Sequence, residues 1–358
     1  MEVDKTKKYA LLISGGVDSA VACHLMCQQG LKPDLFYIKI GMQGEGTSCS
    51  AEEDIELSTL TAKKYGLSLQ IIDLQQEYHD RVTAYVVDRV KRGLTPNPDV
   101  MCNRLIKFGA FEEKAGYAYD YIATGHYARV EQLPNGRYTL RVAKGIEKDQ
   151  TYALYNLTQD QLSKTLMPVG EYNKTQIRQI AADIGIQVAN KPDSQDICFV
   201  PDGDYAGYLE REEGLKAVPG NFVDMNGKIL GTHKGIIHYT VGQRKRLGLA
   251  MGHPVFVVDI IPETNEVVIG ENADTFSKEL IADKTNFMSV ERPEDGMQVI
   301  GKIRYAHKGV PCRIYMLDDD RVRVVFDEPV RAATKGQAVV FYEDDYIVGG
   351  GTIKEIIR

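Results

Sequence analysis

Ser14-Gly15-Gly16-Val17-Asp18-Ser19 decides how this chain is read. Before it, Tyr9 to Ile13 is an apolar run of the length of a buried strand. After it, Ala20 to Gly30 carries a helical pattern that ends on glycine. A strand, a glycine turn and a helix N-terminus in that order make an anion site. Glycines let backbone N–H groups approach a phosphate, and the helix dipole favours negative charge there. The stretch is not a Walker A loop, which requires a lysine after its last glycine. Here Val17 and Asp18 follow the glycines, and Ser14 and Ser19 flank them. A tight connection with Asp18 and Ser19 as first-turn caps is the competing reading of the same residues.

Outward from that loop, strand and helix patterns alternate for about two hundred residues. Asp34–Ile40 reads as a second strand and Gly41–Ser48 as a glycine-rich loop. Ser50 and Glu53 form a capping box for a helix to Tyr65, with Gly66 as its stop. Leu67–Asp73 is a third strand, and a helix follows over Gln76–Lys91. Pro96 and Pro98 make Gly93–Cys102 a rigid loop that delivers Asp99 and Cys102 to a helix over Asn103–Lys114. Tyr121–His126 is a fourth strand ending in glycine and histidine, and Arg137–Val142 reads as an edge strand. Lys174–Ile184 is helical, and a polar loop over Asn190–Phe199 carries Cys198. This alternation predicts a doubly wound parallel α/β sheet, with ligands at the carboxyl ends of its strands. Near residue 205 the period shortens to strands and tight turns, including an Asn226-Gly227 hairpin signal and a hairpin over Val255–Gly270. From about Glu279, short strand runs predict a small antiparallel β-barrel. The expected domains are 1–205, a small, mainly β domain over 206–275, and the barrel over 276–358.

The chain has 358 residues, 43% hydrophobic and 26% charged, the composition of a globular protein. No run approaches the roughly 20 apolar residues of a membrane span, and Met1–Lys8 lacks the apolar centre of a signal peptide. A cytoplasmic location with reduced thiols is therefore expected. The net charge of −7 argues against a nucleic-acid partner, but its distribution argues otherwise. Met225–Val258 holds no acidic residue while carrying Lys228, Lys234, Arg244, Lys245 and Arg246 with His233, His238 and His253. Either this is a chance gap on a solvated face or it is a surface for phosphates.

The six cysteines include no C-x-x-C pair, which leaves out a zinc ribbon. Cys23, Cys27 and Cys312 lie in apolar patterns and read as structural; Cys49 sits in a polar loop. Cys102 and Cys198 both lie in polar loops, and a cysteine at a helix start can be an activated nucleophile. Asp99 is a candidate general acid/base or an Asx turn, and His126 a ligand contact or a satisfied strand-end histidine. Asp18 is a candidate for a Mg²⁺–pyrophosphate network, with Ser14 and Ser19 bonding phosphate oxygens.

The glycine loop resembles the pyrophosphatase loop of the PP-loop family, which binds ATP and transfers AMP to a substrate. Six strings extend the resemblance: Ser14–Ser19, Gly93–Asn103, Ala123–Arg129, Lys148–Leu154, Asp193–Phe199 and His238–Arg244. Together, from the first strand to Val348–Ile353, they resemble the tRNA-specific 2-thiouridylases, a family that converts the wobble uridine of certain tRNAs to 2-thiouridine. The resemblance implies that Leu12, Ile13, Ser14, Gly15, Gly16, Val17, Asp18, Ser19 and Ile38 line an ATP site, with Gly125 nearby. It implies that Asn97, Pro98 and Asp99 face the target base. It places tRNA contacts at His126, Lys148, Asp149, Gln150, Arg304, Tyr305 and Gln337. Cys198 would carry a persulfide sulfur and Cys102 would be its partner nucleophile, so that a Cys102–Cys198 disulfide closes each cycle. The implied partners are tRNA, a persulfide donor or relay protein and a thiol reductant, with ATP and Mg²⁺ and no membrane. The sequence departs from the family pattern at Leu105, Asp196, Arg246 and Lys335. Two rivals remain: a PP-loop enzyme adenylating a small metabolite, and a non-catalytic tRNA-binding paralogue.

Overall fold

The computed structural model describes residues 4–40, 51–186 and 204–358. The expected loop over Gly41–Ser48, Cys49, Ser50, the polar loop over Asn190–Phe199 and Cys198 therefore lie outside the described residues. The chain separates into two compact units. The first is Met1–Val82, Asp99–Gly203 and Asp344–Ile347; the second is Thr83–Pro98, Asp204–Glu343 and Val348–Arg358.

In the first unit, β1 (Tyr9–Leu12), β2 (Asp34–Lys39), β3 (Leu69–Asp73), β4 (Tyr121–Ala123) and the two-residue β7 (Thr165–Leu166) form a parallel sheet in the order β3-β2-β1-β4-β7. Ala10 is in register with Asp34 on one side and Ile122 on the other. Chain order therefore reverses between β1 and β4, and the crevice beyond their carboxyl ends is where such sheets bind ligands. α1 (Val17–Gln28) follows β1 directly. It is buried on several sides, among Leu11, Leu35, Ile177 and Ala181. The helix Lys174–Asp183 packs on it through Ile177 and Ala181, a spacing that shares one helical face. α2 (Ala51–Tyr65) has the expected range and Gly66 ends it at φ +63°. The expected edge strand Arg137–Val142 belongs elsewhere: β5 (Ala128–Gln132) and β6 (Tyr138–Val142) form an antiparallel hairpin, and Arg141 pairs with Tyr346.

In the second unit, β8 (Gly220–Val223) and β9 (Ile229–His233) make the expected hairpin, with Gly227 at φ +83° in its turn. β10 (Phe256–Ile261) and β11 (Glu266–Gly270) make the next, and β11 lies parallel to β8 around a core of Phe222, Tyr239, Val257 and Ile269. The remaining strands are β12 (Phe276–Phe287), β13 (Met297–Lys302), β14 (Val310–Met316), β15 (Val322–Arg331), β16 (Ala338–Glu343) and β17 (Tyr346–Ile357). Their order is β12-β15-β14-β13-β16-β17, and pairing of β12 with β17 closes the antiparallel barrel. The glycines of β17 permit that closure. A Cβ on Gly349 would lie 2.6 Å from the Asn286 oxygen, and one on Gly351 would lie 2.9 Å from the Asp283 oxygen.

Candidate functional site

The glycine loop lies at the carboxyl end of β1, beside the reversal of strand order. Gly15 has φ +70°, a backbone that side chains other than glycine's resist. Gly16 is the N-cap of α1 and offers no side-chain cap. The helix begins at Val17, three residues before the expected start, so Asp18 and Ser19 lie inside its first turn and do not cap it. Ser19 instead closes the loop on itself. Its hydroxyl donates to the Gly16 carbonyl at 3.1 Å and accepts from the Ser14 N–H at 3.2 Å. The Ser14 hydroxyl lies 3.3 Å from it.

The end of β4 is pressed onto this loop. A Cβ on Gly125 would stand 2.8 Å from the Ser19 nitrogen, so glycine is required for the close approach. Two residues on, the Tyr127 hydroxyl donates to Asp18 at 2.6 Å. The Tyr127 N–H donates to the Gln150 side chain at 2.9 Å, and its carbonyl accepts the Gln150 N–H at 2.9 Å. Three strings distant in sequence thus meet at Tyr127. Asp149 is buried and shapes the same segment: its carboxylate accepts from the Ala143 N–H at 3.1 Å and from the Thr151 hydroxyl at 2.5 Å. Lys148 is half-buried, as is Ile38, in register with Ile72 of β3. Leu12 and Ile13 are buried where β1 enters the loop.

Asp18 has a second partner that sequence reasoning missed. The Lys174 ammonium lies 2.7 and 2.9 Å from its two oxygens, and lies 5.7 Å from the centre of the Tyr127 ring. Lys174 is 7% exposed. The signal was present: Lys174, Ile177 and Ala181 share one face, and a lysine on an apolar helix face calls for an anionic partner. Asp18 is already engaged by an O–H and an ammonium, and a magnesium ion does not fit on it as arranged. Among the described residues no three His, Cys, Asp or Glu side chains are grouped to hold a metal.

Asp99 and Cys102 lie on a helical turn, Pro98–Cys102, that continues as a π-helical segment over Asn103–Ala110. Pro98, not Asn103, opens the helix, because its fixed φ suits the first helical position. Cys102 consequently sits a full turn in, beyond the orphan N–H groups of the helix start, and it is buried. Asn103 beside it is buried, donates to the Ala153 carbonyl at 3.1 Å and leaves its side-chain oxygen without a hydrogen-bond partner. His126 is also buried, held by Thr124 at 2.7 Å and approached by Lys107 at 3.4 Å. Burial, with the Lys107 charge beside it, holds its pKa well below the usual histidine range and keeps the ring neutral. Cys23 is buried, Cys27 partly so, and burial pushes the Cys312 thiol up to about 12, which makes it inert.

The second unit organises other expected residues. The Gln337 side chain donates to the Thr95 carbonyl at 3.1 Å and reaches the Pro96 carbonyl at 3.5 Å, just ahead of Asn97 and Pro98. The Thr95 N–H donates to the Lys335 carbonyl at 2.9 Å. Lys335, one of the departures from the family pattern, sends its ammonium to Asp259 at 3.1 Å. Arg246, another of those departures, has φ +63°, a backbone that favours glycine. Arg304 donates to the Arg331 carbonyl at 2.8 Å, and Tyr305 is exposed. His233 is no surface cation: it is buried, lies 3.1 Å from the Asn265 carbonyl and accepts from the Gly235 N–H at 3.0 Å.

Three family models cover most of the chain. They are described as a tRNA methyl transferase HUP domain over residues 7–202, a tRNA methyl transferase PRC-barrel domain over 208–271 and an aminomethyltransferase beta-barrel domain over 277–353. A tRNA-specific 2-thiouridylase MnmA of Lachnoclostridium phytofermentans is 51% identical over 356 residues, which is 97% of this chain and 99% of that protein. The MnmA of Clostridioides difficile is 46% identical over 98% of each chain. The chain belongs to the tRNA-specific 2-thiouridylase family. The HUP sheet, the central PRC-barrel domain and the closed C-terminal barrel are that family's architecture in this member, as the glycine loop and the later change of period led one to expect. The models' descriptions speak of methyl transfer, but full-length relatives at this identity carry thiolation in their names. Among solved structures, the U34-tRNA thiolase NcsA of Methanococcus maripaludis aligns with TM-score 0.36 and 17% identity over 58% of this chain and 68% of its own. Among the described residues, no helix is long and apolar enough to cross a membrane.

Proposed function

We infer that this protein is an ATP-dependent tRNA-uridine 2-sulfurtransferase acting on the wobble uridine. The observation that carries the inference is the 51% identity to a 2-thiouridylase through 97% of this chain. The loop at the strand-order reversal supports it, since backbone N–H groups, two hydroxyls and a helix N-terminus converge there. In this reading Leu12–Ser19, Ile38 and Gly125 form the ATP site. Magnesium enters only with the phosphates and no step is assigned to it. The uridine 2-oxygen attacks the α-phosphorus, pyrophosphate leaves, and the adenylated oxygen becomes a leaving group.

Sulfur arrives on Cys198 as a persulfide. Either its outer sulfur attacks carbon 2 directly, or Cys102 first displaces it as sulfide, which then attacks. On both routes AMP leaves, the Cys102 thiolate ends bonded to the Cys198 sulfur, and a thiol reductant returns two electrons to that disulfide. Asn97, Pro98 and Asp99 face the base, with Asp99 as acid/base. Lys148, Arg304 and Tyr305 contact the tRNA. Asp149, Gln150 and Gln337 act by holding the segments that do so, and buried His126 supports the loop beneath. The proposed domains run over 1–205, 206–275 and 276–358, and the reaction takes place in the cytoplasm with a persulfide donor or relay protein.

The deciding experiment uses the whole protein with ATP, tRNA and a persulfide donor. Cys198→Ser is expected to abolish 2-thiouridine in nucleoside mass analysis while tRNA-dependent pyrophosphate release continues. Normal thiolation in that variant sinks the mechanism. Pyrophosphate release that follows a small metabolite and ignores tRNA favours the metabolite-adenylating rival.

A further inference from the structure

Lys174 is placed against three physical preferences. The residue is buried, at 7% exposure. It occupies the first residue of its helix, where the dipole opposes a cation. Its long side chain gives up its rotamer freedom to hold one position. Nothing in the packing of Ile177 and Ala181 onto α1 requires a lysine there. What the position achieves is electrostatic. Asp18 lies in the first turn after Gly15 and Gly16, where an incoming phosphate would meet its charge. The Lys174 ammonium spans both Asp18 oxygens at 2.7 and 2.9 Å, and the Tyr127 hydroxyl donates to Oδ1 of the same carboxylate at 2.6 Å. Tyr127 in turn is tied through its backbone to Gln150 at 2.9 Å.

We propose that Lys174 is a positioning residue of the nucleotide site: it neutralises Asp18 and locks it to Tyr127, so that the acid within the Ser14–Ser19 loop does not oppose the phosphates of ATP. Asp18 is then the anchor of that cation and not a magnesium ligand. The loop lacks the lysine of a Walker A turn, and here a lysine from a helix 156 positions away removes the one anion in the turn. The proposal rests on the reading of this loop as the ATP site.

The test is a double-mutant cycle on ATP affinity, measured by calorimetry on the full-length protein with magnesium present. Lys174→Met keeps the length of the side chain and removes its charge. In the natural background it should weaken ATP binding about tenfold or more, because it leaves the half-buried Asp18 carboxylate uncompensated beside the phosphates. In an Asp18→Asn background the same substitution should change ATP affinity by less than about threefold, since no charge remains to neutralise. A tenfold loss in both backgrounds overturns the proposal. A higher half-saturating magnesium concentration in Asp18→Asn overturns the assignment of Asp18 as anchor. Should Lys174→Met alone fail to fold, the Asp18→Asn pair still decides, because neither of its members leaves an unpaired carboxylate in the loop. Natural protein that binds no ATP overturns the loop reading itself, whereas ATP binding that ignores Lys174→Met overturns only the role of Lys174.

Discussion

At the scale of single residues, this site is made by removing room and placing charge. Gly125 is there because a Cβ would strike the Ser19 backbone at 2.8 Å, and Gly15 because the turn needs φ +70°. The glycine reading of the loop therefore holds for reasons of space as well as for anion binding. His126 shows the opposite limit. Its identity suggested a ligand contact, but it is buried between Thr124 and Lys107, and its pKa is lowered. A histidine whose folded pKa lies below its unfolded value of about 6.5 is bound by more protons in the unfolded chain as pH falls through that value. Its contribution to stability is thus fully present above about pH 6.5 and is lost progressively toward the folded pKa. His126→Gln is expected to flatten the fall in stability between about pH 7 and pH 5 by up to about 1.4 kcal/mol per pH unit. Urea unfolding midpoints across that range, compared with the natural protein, check it; an identical slope shows that His126 does not titrate with unfolding.

At the scale of elements, the helical start at Pro98 changes what Cys102 is. Two prolines close together suggested a loop running to Cys102, yet the second proline is the first residue of a helix, and the thiol is carried inside it. The segment before it, Thr95–Pro96, is held by Gln337, while Gly336 at φ +93° brings the turn against Thr95. This turn is a clamp on the peptide that leads into Asn97. Gln337→Ala removes one neutral hydrogen bond, or about 1 kcal/mol. It should leave unfolding nearly unchanged and lower kcat/KM for tRNA thiolation about tenfold, because the residues that face the base lose a fixed backbone. Full activity in Gln337→Ala would return the clamp to a purely structural role.

At the scale of the whole molecule, a net charge of −7 is compatible with a polyanionic partner because exposed charge acts locally, within a Debye length of about 8 Å at physiological salt. Arg244, Lys245 and Arg246 are exposed on the loop after Tyr239, and none has an ion-pair partner among the described residues. His233, counted with them in the sequence, is core, so the basic window is narrower than its composition suggested. Arg244→Ala combined with Arg246→Gly, the latter suited to φ +63°, should lower the slope of log affinity for tRNA against log salt by about 1–2. An unchanged slope means that the gap in acids is only a solvated face. Much of this protein is determined by local sequence: a strand, glycine turn and helix are specified by short-range periodicity and by glycine's backbone freedom, and so was the parallel sheet they belong to. Asn226-Gly227 likewise specified a hairpin within a few residues. What only the tertiary structure decided is which distant groups meet. Lys174 reaches Asp18, Tyr127 joins the loop to Gln150, Gln337 grips Thr95, and β17 closes onto β12 through its glycines. Each is a long-range contact whose cost is chain closure and whose gain is burial of paired polar groups, a balance that no window of neighbouring residues contains.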